Sequence, residues 1–357
     1  MDMLDILKAA VKLNASDIHM YIGKPPMVRI SGVITELAQH PVVTAEESKK
    51  LIYSILSEDQ IRRFEQDMEL DSSFDMPGIG RFRVNVLVQK NGVEAVLRII
   101  SSKIPDPQAI GLTGPIIELT KLPRGLVLVT GPTGSGKSTT LACLLDIINK
   151  TRPEHILTIE DPIEYAFESS KCIVRQRELG TNTLSFQNAL KHALRQDPDI
   201  IFIGEMRDLE TISLALTAAE TGHLVFGTLH TQDAPQTVDR IVDVFPAHQQ
   251  QLVRTQLAKT LKAVICQILL PKKNGMGRMA AREIMIVTHA IASLIREGKT
   301  HMIYNAIETG SKFGMITLDA ALADLIKRGL VEPDIALSKA QNQDQVRMRA
   351  GLPQPRS

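Results

Sequence analysis

Gly131-Pro132-Thr133-Gly134-Ser135-Gly136-Lys137-Ser138-Thr139 fills every fixed position of the pattern G-x-x-x-x-G-K-[ST]. The apolar run Leu126–Val129 precedes it and the helical run Thr140–Ile148 follows. In that strand–loop–helix setting, glycines let successive backbone N–H groups turn inward around phosphate oxygens, and the helix N-terminus adds positive potential. Lys137 is placed to reach the β- and γ-phosphates of a nucleotide, and the Ser138 hydroxyl to ligate Mg²⁺. A glycine-rich turn matching by chance would not bring strand, motif and helix together. The expected cofactors are ATP and Mg²⁺, cradled by Gly131, Pro132, Thr133, Gly134, Ser135, Gly136, Lys137, Ser138 and Thr139.

A phosphate loop indicates binding; hydrolysis needs acids at the same edge of the sheet. Ligands of open α/β sheets bind outside the carboxyl ends of the strands. Ile200-Ile201-Phe202-Ile203 runs into Gly204-Glu205, so Glu205 is the expected carboxylate for orienting and deprotonating water. Asp199 stands at the other end of that strand, roughly 20 Å away at about 3.3 Å per residue. Thr158-Ile159-Glu160-Asp161-Pro162-Ile163-Glu164 also ends a strand. Glu160 and Glu164 are read as acids that hold a Mg²⁺ hydration shell and polarise water. Asp161 suits either that role or the turn that Asp-Pro commonly starts. His230 closes the next strand as a γ-phosphate sensor or a bridge to a neighbouring subunit, while His223 opens it; a histidine in either place is more simply structural.

Outward from this core, apolar strands at Gly125–Thr130, His155–Ile159, Asp199–Ile203 and His223–Thr228 alternate with helices, which predicts a parallel sheet covered on both faces. A further strand is expected at Met279–Val287, then helices to about Ala340. The first hundred residues read as a small α+β domain. It has a helix carrying Leu4, Ile6, Leu7, Ala10 and Val11, an extended stretch near Asp17–Ile22, and a helix started by the Thr44/Glu47 capping box. Phe82, Val84, Val86 and Val88 alternate with Arg81, Arg83, Asn85 and Leu87, the pattern of a half-buried strand, and Asn91-Gly92 signals a hairpin to Val93–Ile99. Ile104-Pro105-Asp106-Pro107 with Gly111, Gly114 and Pro115 breaks regular structure. The expected division is therefore residues 1–101, a linker at 102–123, an ATPase domain at 124–340 and a disordered polar tail at 341–357.

Composition narrows the function classes. At 357 residues, with 44% hydrophobic and 23% charged residues, the chain has the make-up of a two-domain globular protein. A net charge of +1 and 4% aromatic residues offer no basic stripe or stacking groove for nucleic acid. No apolar run is long enough to span a bilayer, and the acidic start Met1-Asp2-Met3-Leu4-Asp5 is unlike a secretory signal. The three cysteines, widely spaced and without a C-x-x-C pattern, read as reduced thiols.

Gly131–Thr139, Thr158–Glu164, Gly204–Thr211 and Thr217–Thr231 together resemble the Walker A, Asp, Walker B and His boxes of the secretion ATPases. Within that superfamily the chain is most similar to the type IV pilus retraction (twitching motility) branch. The likeness runs from Met1 to about Ala340 and includes Ser16-Asp17-Ile18-His19 and Pro25-Pro26-Met27. It implies an α/β protein with a PAS-like N-terminal domain and a C-terminal RecA-like P-loop NTPase domain, with ATP between them. It also implies a homohexamer in the cytoplasm, peripheral to the inner membrane at the pilus base. Arg81 and Arg83 become arginine fingers on the γ-phosphate; by pattern alone they are basic residues on one strand face. The implied partners are an inner-membrane pilus platform protein (PilC-like) and a PilU-like paralogue. Assembly ATPases of the superfamily carry an extra N-terminal domain and a cysteine-rich zinc insertion that this chain does not show. A helix tied to retraction, A-I-R-N-L-I-R-E in that branch, reads Ala290-Ile291-Ala292-Ser293-Leu294-Ile295-Arg296-Glu297 here.

Overall fold

Two sheets organise the chain, one in each of the units into which it divides: Met1–Lys103 with Glu164–Ala166, and Ile104–Ile163 with the residues from Phe167 onward. The computed structural model describes residues 1–30, 32–100 and 103–353. The expected linker start, residue 102, lies outside them.

The first unit is a mixture of helices and an antiparallel sheet. Its strands are β1 (Asp17–Met20), β2 (Met27–Ile30), β3 (Val33–Glu36), β4 (Glu69–Met76), β5 (Gly80–Gln89) and β6 (Gly92–Ile100), in the order β3-β2-β1-β6-β5-β4 among the described residues. Phe82, Val84 and Val86 on β5 are fully buried, in one cluster with Ile6 and Leu7 of the helix Met3–Lys12 and Leu51 and Ile52 of the helix Ala45–Tyr53. Val88 departs from the expected alternation and is exposed, because it lies past the last pair buried on both strands, Val86 with Ala95. The hairpin pairs Gln89 with Gly92, so its loop is Lys90-Asn91 and Gly92 begins β6. The capping box is present: Thr44 Oγ1 accepts from Glu47 N at 3.2 Å, and Glu47 Oε2 accepts from Thr44 N at 3.1 Å.

The second unit carries β7 (Gly125–Thr130), β8 (His155–Glu160), β9 (Ile173–Glu178), β10 (Ile200–Ile203), β11 (Leu224–Leu229), β12 (Leu261–Pro271) and β13 (Arg278–Ile286). Their order among the described residues is β13-β12-β7-β11-β10-β8-β9, parallel from β12 to β9, with β13 antiparallel at one edge. Every residue of β7, β10 and β11 is buried, because both faces of the sheet are covered. Leu126 and Leu128 enter one core cluster with Ile212 and Leu216 of the helix Leu209–Glu220. Val127 and Val129 enter the other with Leu141, Leu144 and Ile148 of the helix Lys137–Thr151. Parallel pairing brings the carboxyl ends of β7, β8, β10 and β11 to one edge.

Two expectations are corrected. Much of the supposed linker is core: Leu112, Ile116 and Leu119 are buried in the cluster with Val127 and Leu145. Gly114 and Pro115, which look like breakers, occupy the first turn of the helix Gly114–Glu118, where proline needs no N–H partner. The supposed disordered tail holds a helix, Gln343–Ala350, capped by Asn342. Its Val346 is fully buried beside Leu318, Leu322 and Ile326, and the Asp319 carboxylate accepts from Gln341 N and Asn342 N at 2.9 and 2.8 Å. Val346, with Ala350 and Leu352 packed against the same cluster, docks a helix whose composition is mostly polar. Residues 354–357 of the expected tail lie outside the described residues.

Candidate nucleotide site

The phosphate loop leaves β7 against the backbone of β12. Gly131 has φ +137°, and a Cβ there would stand 2.2 Å from the Gln267 carbonyl oxygen, so no side chain fits. Gly136, at φ +88°, is the N-cap of the helix Lys137–Thr151. Lys137 folds back over the loop, its Nζ donating to Gly131 O at 2.8 Å and Pro132 O at 3.2 Å. Burial lowers its pKa, and the nearby charge of Glu205 opposes that shift. Pro132, Thr133 and Gly134 are exposed at the loop's crown, Ser135 is buried beneath it, and Ser138 and Thr139 are half-buried in the first helical turn.

Glu205 is pinned from both sides. Gly204 N donates to Ile159 O of β8 at 2.8 Å, and Met206 N to Thr228 O of β11 at 3.0 Å. Met206 is buried over Gly227, where a Cβ would stand 2.6 Å from its sulfur. The Glu205 carboxylate takes Arg207 Nε on Oε1 at 2.6 Å and Arg207 Nη2 on Oε2 at 2.7 Å, a two-pronged pair. His230 Nε2 lies 3.1 Å from Oε1. Burial alone would raise this carboxyl, but the hydrogen bonds from Arg207 and His230 outweigh it and hold the group below the usual carboxylate range. Glu205 is therefore charged near neutrality, beside the loop lysine.

The remaining acids part company. Glu160 ends β8 and is buried, its Oε1 accepting from Thr158 Oγ1 at 2.7 Å and Gln176 Nε2 at 3.0 Å. Asp161 is exposed, and its charge reaches Arg207. Glu164 is exposed and groups with the first unit. Asp199 receives the His155 N–H at 2.9 Å at the opposite end of the sheet, as strand direction requires. His223 Nδ1 lies 3.0 Å from Ala218 O, a local structural contact. Arg81 and Arg83 share one face of β5 in the first unit. Arg81 is bound to Asp75 at 2.7 Å and Ser73 at 2.9 Å, while Arg83 lines a cavity of about 260 Å³ with Asp17, Asp71, Asn85, Val96 and Arg98.

Among the described residues no three His, Cys, Asp or Glu side chains cluster as a metal site. The Ser138 hydroxyl at the helix start is what the loop offers a cation, which suits Mg²⁺: that ion keeps several waters and binds through few protein groups plus phosphates. Cys143, Cys172 and Cys266 are free and buried, and no helix among the described residues is long and apolar enough to cross a membrane. Sequence reading missed Arg207, Gln267 and Arg282. Gln267, an amide inside the apolar run Ala263–Leu270, was the visible signal.

A family model described as "Type II/IV secretion system protein" matches residues 2–279. The chain is 52% identical over 341 residues to the type IV pilus retraction ATPase PilT of Pseudomonas aeruginosa, covering 96% of this chain and 98% of that one. It is 38% identical over 352 residues to the type IV pilus ATPase PilU of the same organism, covering 99% and 92%. The crystal structure of the pilus retraction motor PilT with bound ADP superposes with a TM-score of 0.90 at 48% identity, covering 97% of this chain and 98% of that one.

Proposed function

This chain belongs to the Type II/IV secretion system protein family, and from that membership we propose that it is a motor ATPase powering type IV pilus retraction. The observation that carries the reading is the meeting of Lys137, Glu205 and His230 at one edge of the sheet, in a chain so similar to a retraction ATPase over its whole length.

In this reading the loop amides and Lys137 hold the β- and γ-phosphates, and Ser138 would hold Mg²⁺, which when bound would supply positive charge to the phosphates. Glu205, ionised and fixed by Arg207, accepts a proton from the attacking water. His230 reports on the γ-phosphate through its contact with Glu205. Glu160 braces the edge of the sheet from within, and Glu164 contributes charge from its exposed position. Arg81 and Arg83 supply positive charge to the γ-phosphate. For that role, Arg83→Ala should slow turnover and leave ATP binding intact; unchanged turnover would remove it.

The working assembly in this proposal is a homohexamer, cytoplasmic and peripheral to the inner membrane, acting on a pilus platform protein alongside a PilU-like paralogue. Identity to the PilT sequence exceeds identity to PilU, 52% against 38%, which favours the motor over an accessory. Ala292 and Ser293 keep the helix His289–Arg296 intact: Ile291 and Ile295 are buried, and Ser293 Oγ donates to Glu297 at 2.9 Å. Deleting the gene in the native host tests the proposal. Abundant surface pili without movement are expected; absent pili would instead indicate an assembly motor.

A further inference from the structure

Gln267 on β12 is 2% exposed, and both the nitrogen and the oxygen of its amide are hydrogen-bonded. Nε2 donates to Ser135 O at 2.7 Å, and Oε1 accepts from Thr140 Oγ1 at 2.8 Å and from Arg282 Nε at 3.2 Å. One side chain thus ties the base of the phosphate loop to the first turn of the following helix. The same residue's backbone oxygen is the atom against which Gly131 packs. Across the β12–β13 ladder, Gln267 is paired with Arg282.

Arg282 is 7% exposed and sends its other nitrogens elsewhere: Nη1 to Gly111 O and Nη2 to Ile110 O, both at 3.0 Å. Among the described residues it has no ion pair, and burial pushes its guanidinium down to about 10. A buried cation without a counter-charge is not a favourable choice for stability, since an apolar residue of similar size commonly does as well or better. What the guanidinium supplies is directional: a rigid fork that reaches Gln267 and, at 3.5 Å, Thr140 Oγ1 on one side and the carbonyls of Ile110 and Gly111 on the other. Ile110 and Gly111 close a turn in which Gly111 N donates to Gln108 O and Leu112 N to Pro107 O. That turn lies just beyond the boundary of the two units at Lys103 and Ile104.

We propose that Gln267 and Arg282 are positioning residues that shape the phosphate loop from the turn at residues 106–112, so that nucleotide on the loop and order in the turn are linked. The proposal rests on the reading of the loop as an ATP site. Linkage is reciprocal: whatever the turn does to nucleotide affinity, nucleotide does to the turn.

The test uses the purified full chain, with ADP affinity and amide hydrogen exchange across 106–112 measured with and without ADP. In the wild type, ADP slows exchange at Gly111 and Leu112. Arg282→Met keeps the stem and loses the fork. It should weaken ADP by about 5-fold or more and abolish the ADP-dependent protection, with Arg282→Lys intermediate. Val346→Ala, in a separate core cluster of the same unit, should lower stability yet leave affinity and protection alone. Should Arg282→Met fail to fold, Thr140→Val breaks the relay at Gln267 and should show the same paired loss. Full ADP-dependent protection in the relay variants, or equal loss in Val346→Ala, would overturn the proposal. A wild type that binds ADP without any change at 106–112 overturns the relay alone. One that binds no ADP overturns the nucleotide reading and the relay together.

Discussion

His230 Nε2 stands 3.1 Å from Glu205 Oε1, joining the end of β11 to the residue that follows β10. The same carboxylate is gripped by Arg207, a mostly exposed side chain. Arginine stays charged at any working pH, and its planar fork fits a carboxylate.

In the proposed mechanism Arg207 sets the acid side of the rate profile. A carboxylate serves as a base only when ionised, so activity is expected to fall as pH drops through the Glu205 pKa, which these contacts depress. Arg207→Ala should move the acid limb of kcat to higher pH while nucleotide affinity changes little. A pH–rate profile for both proteins checks this, and an unmoved limb would count against Glu205 as the base.

Gly131 and Gly134 separate packing from strain. A side chain at Gly131 meets the Gln267 carbonyl and forces an unfavourable φ, together worth about 2–6 kcal/mol. Gly134 has open space around it and φ +76°, so alanine there costs about 1–2 kcal/mol of conformational strain. Denaturant melts with ADP titrations should find Gly131→Ala unable to bind and Gly134→Ala weakened only. Equal behaviour would contradict the close approach of loop and β12.

Glu283 gives stability its own pH dependence. Burial raises its carboxyl to about 7, with Asp233 and Asp319 adding repulsion against hydrogen bonds from Ala234 and Leu318. The folded pKa lies above the unfolded value. The native state thus binds the extra proton between about pH 4.5 and 7, and stability present below that window is lost as pH rises through it. At about 1.4 kcal/mol per unit the loss is on the order of 3 kcal/mol. Urea melts across pH 5–8 should show it, and Glu283→Gln should flatten the slope. A slope unchanged in that variant would assign the dependence elsewhere.

Much of the architecture was readable because its determinants are local. The loop glycines, the continuous apolar strands and the Thr44–Glu47 box each act within a few residues, and strand direction alone separated Glu205 from Asp199. What escaped depends on distant partners. Leu112, Ile116 and Leu119 look like punctuation until β7 and its helix are in place, and Val346 looks like part of a polar tail until the helix Leu318–Lys327 receives it. Gln267 and Arg282 lie 15 residues apart in sequence and meet only through β-ladder register. Arg207 was visible two residues beyond Glu205, but nothing local says that its fork turns back.

In the proposed mechanism Glu205 activates water for a nucleotide that the phosphate loop holds independently. Glu205→Gln decides this, with ATP binding and phosphate release measured on the same preparation. ATP affinity within a few-fold of wild type is expected, with phosphate release lowered by about 10²–10⁴. Phosphate release at the wild-type rate would contradict it.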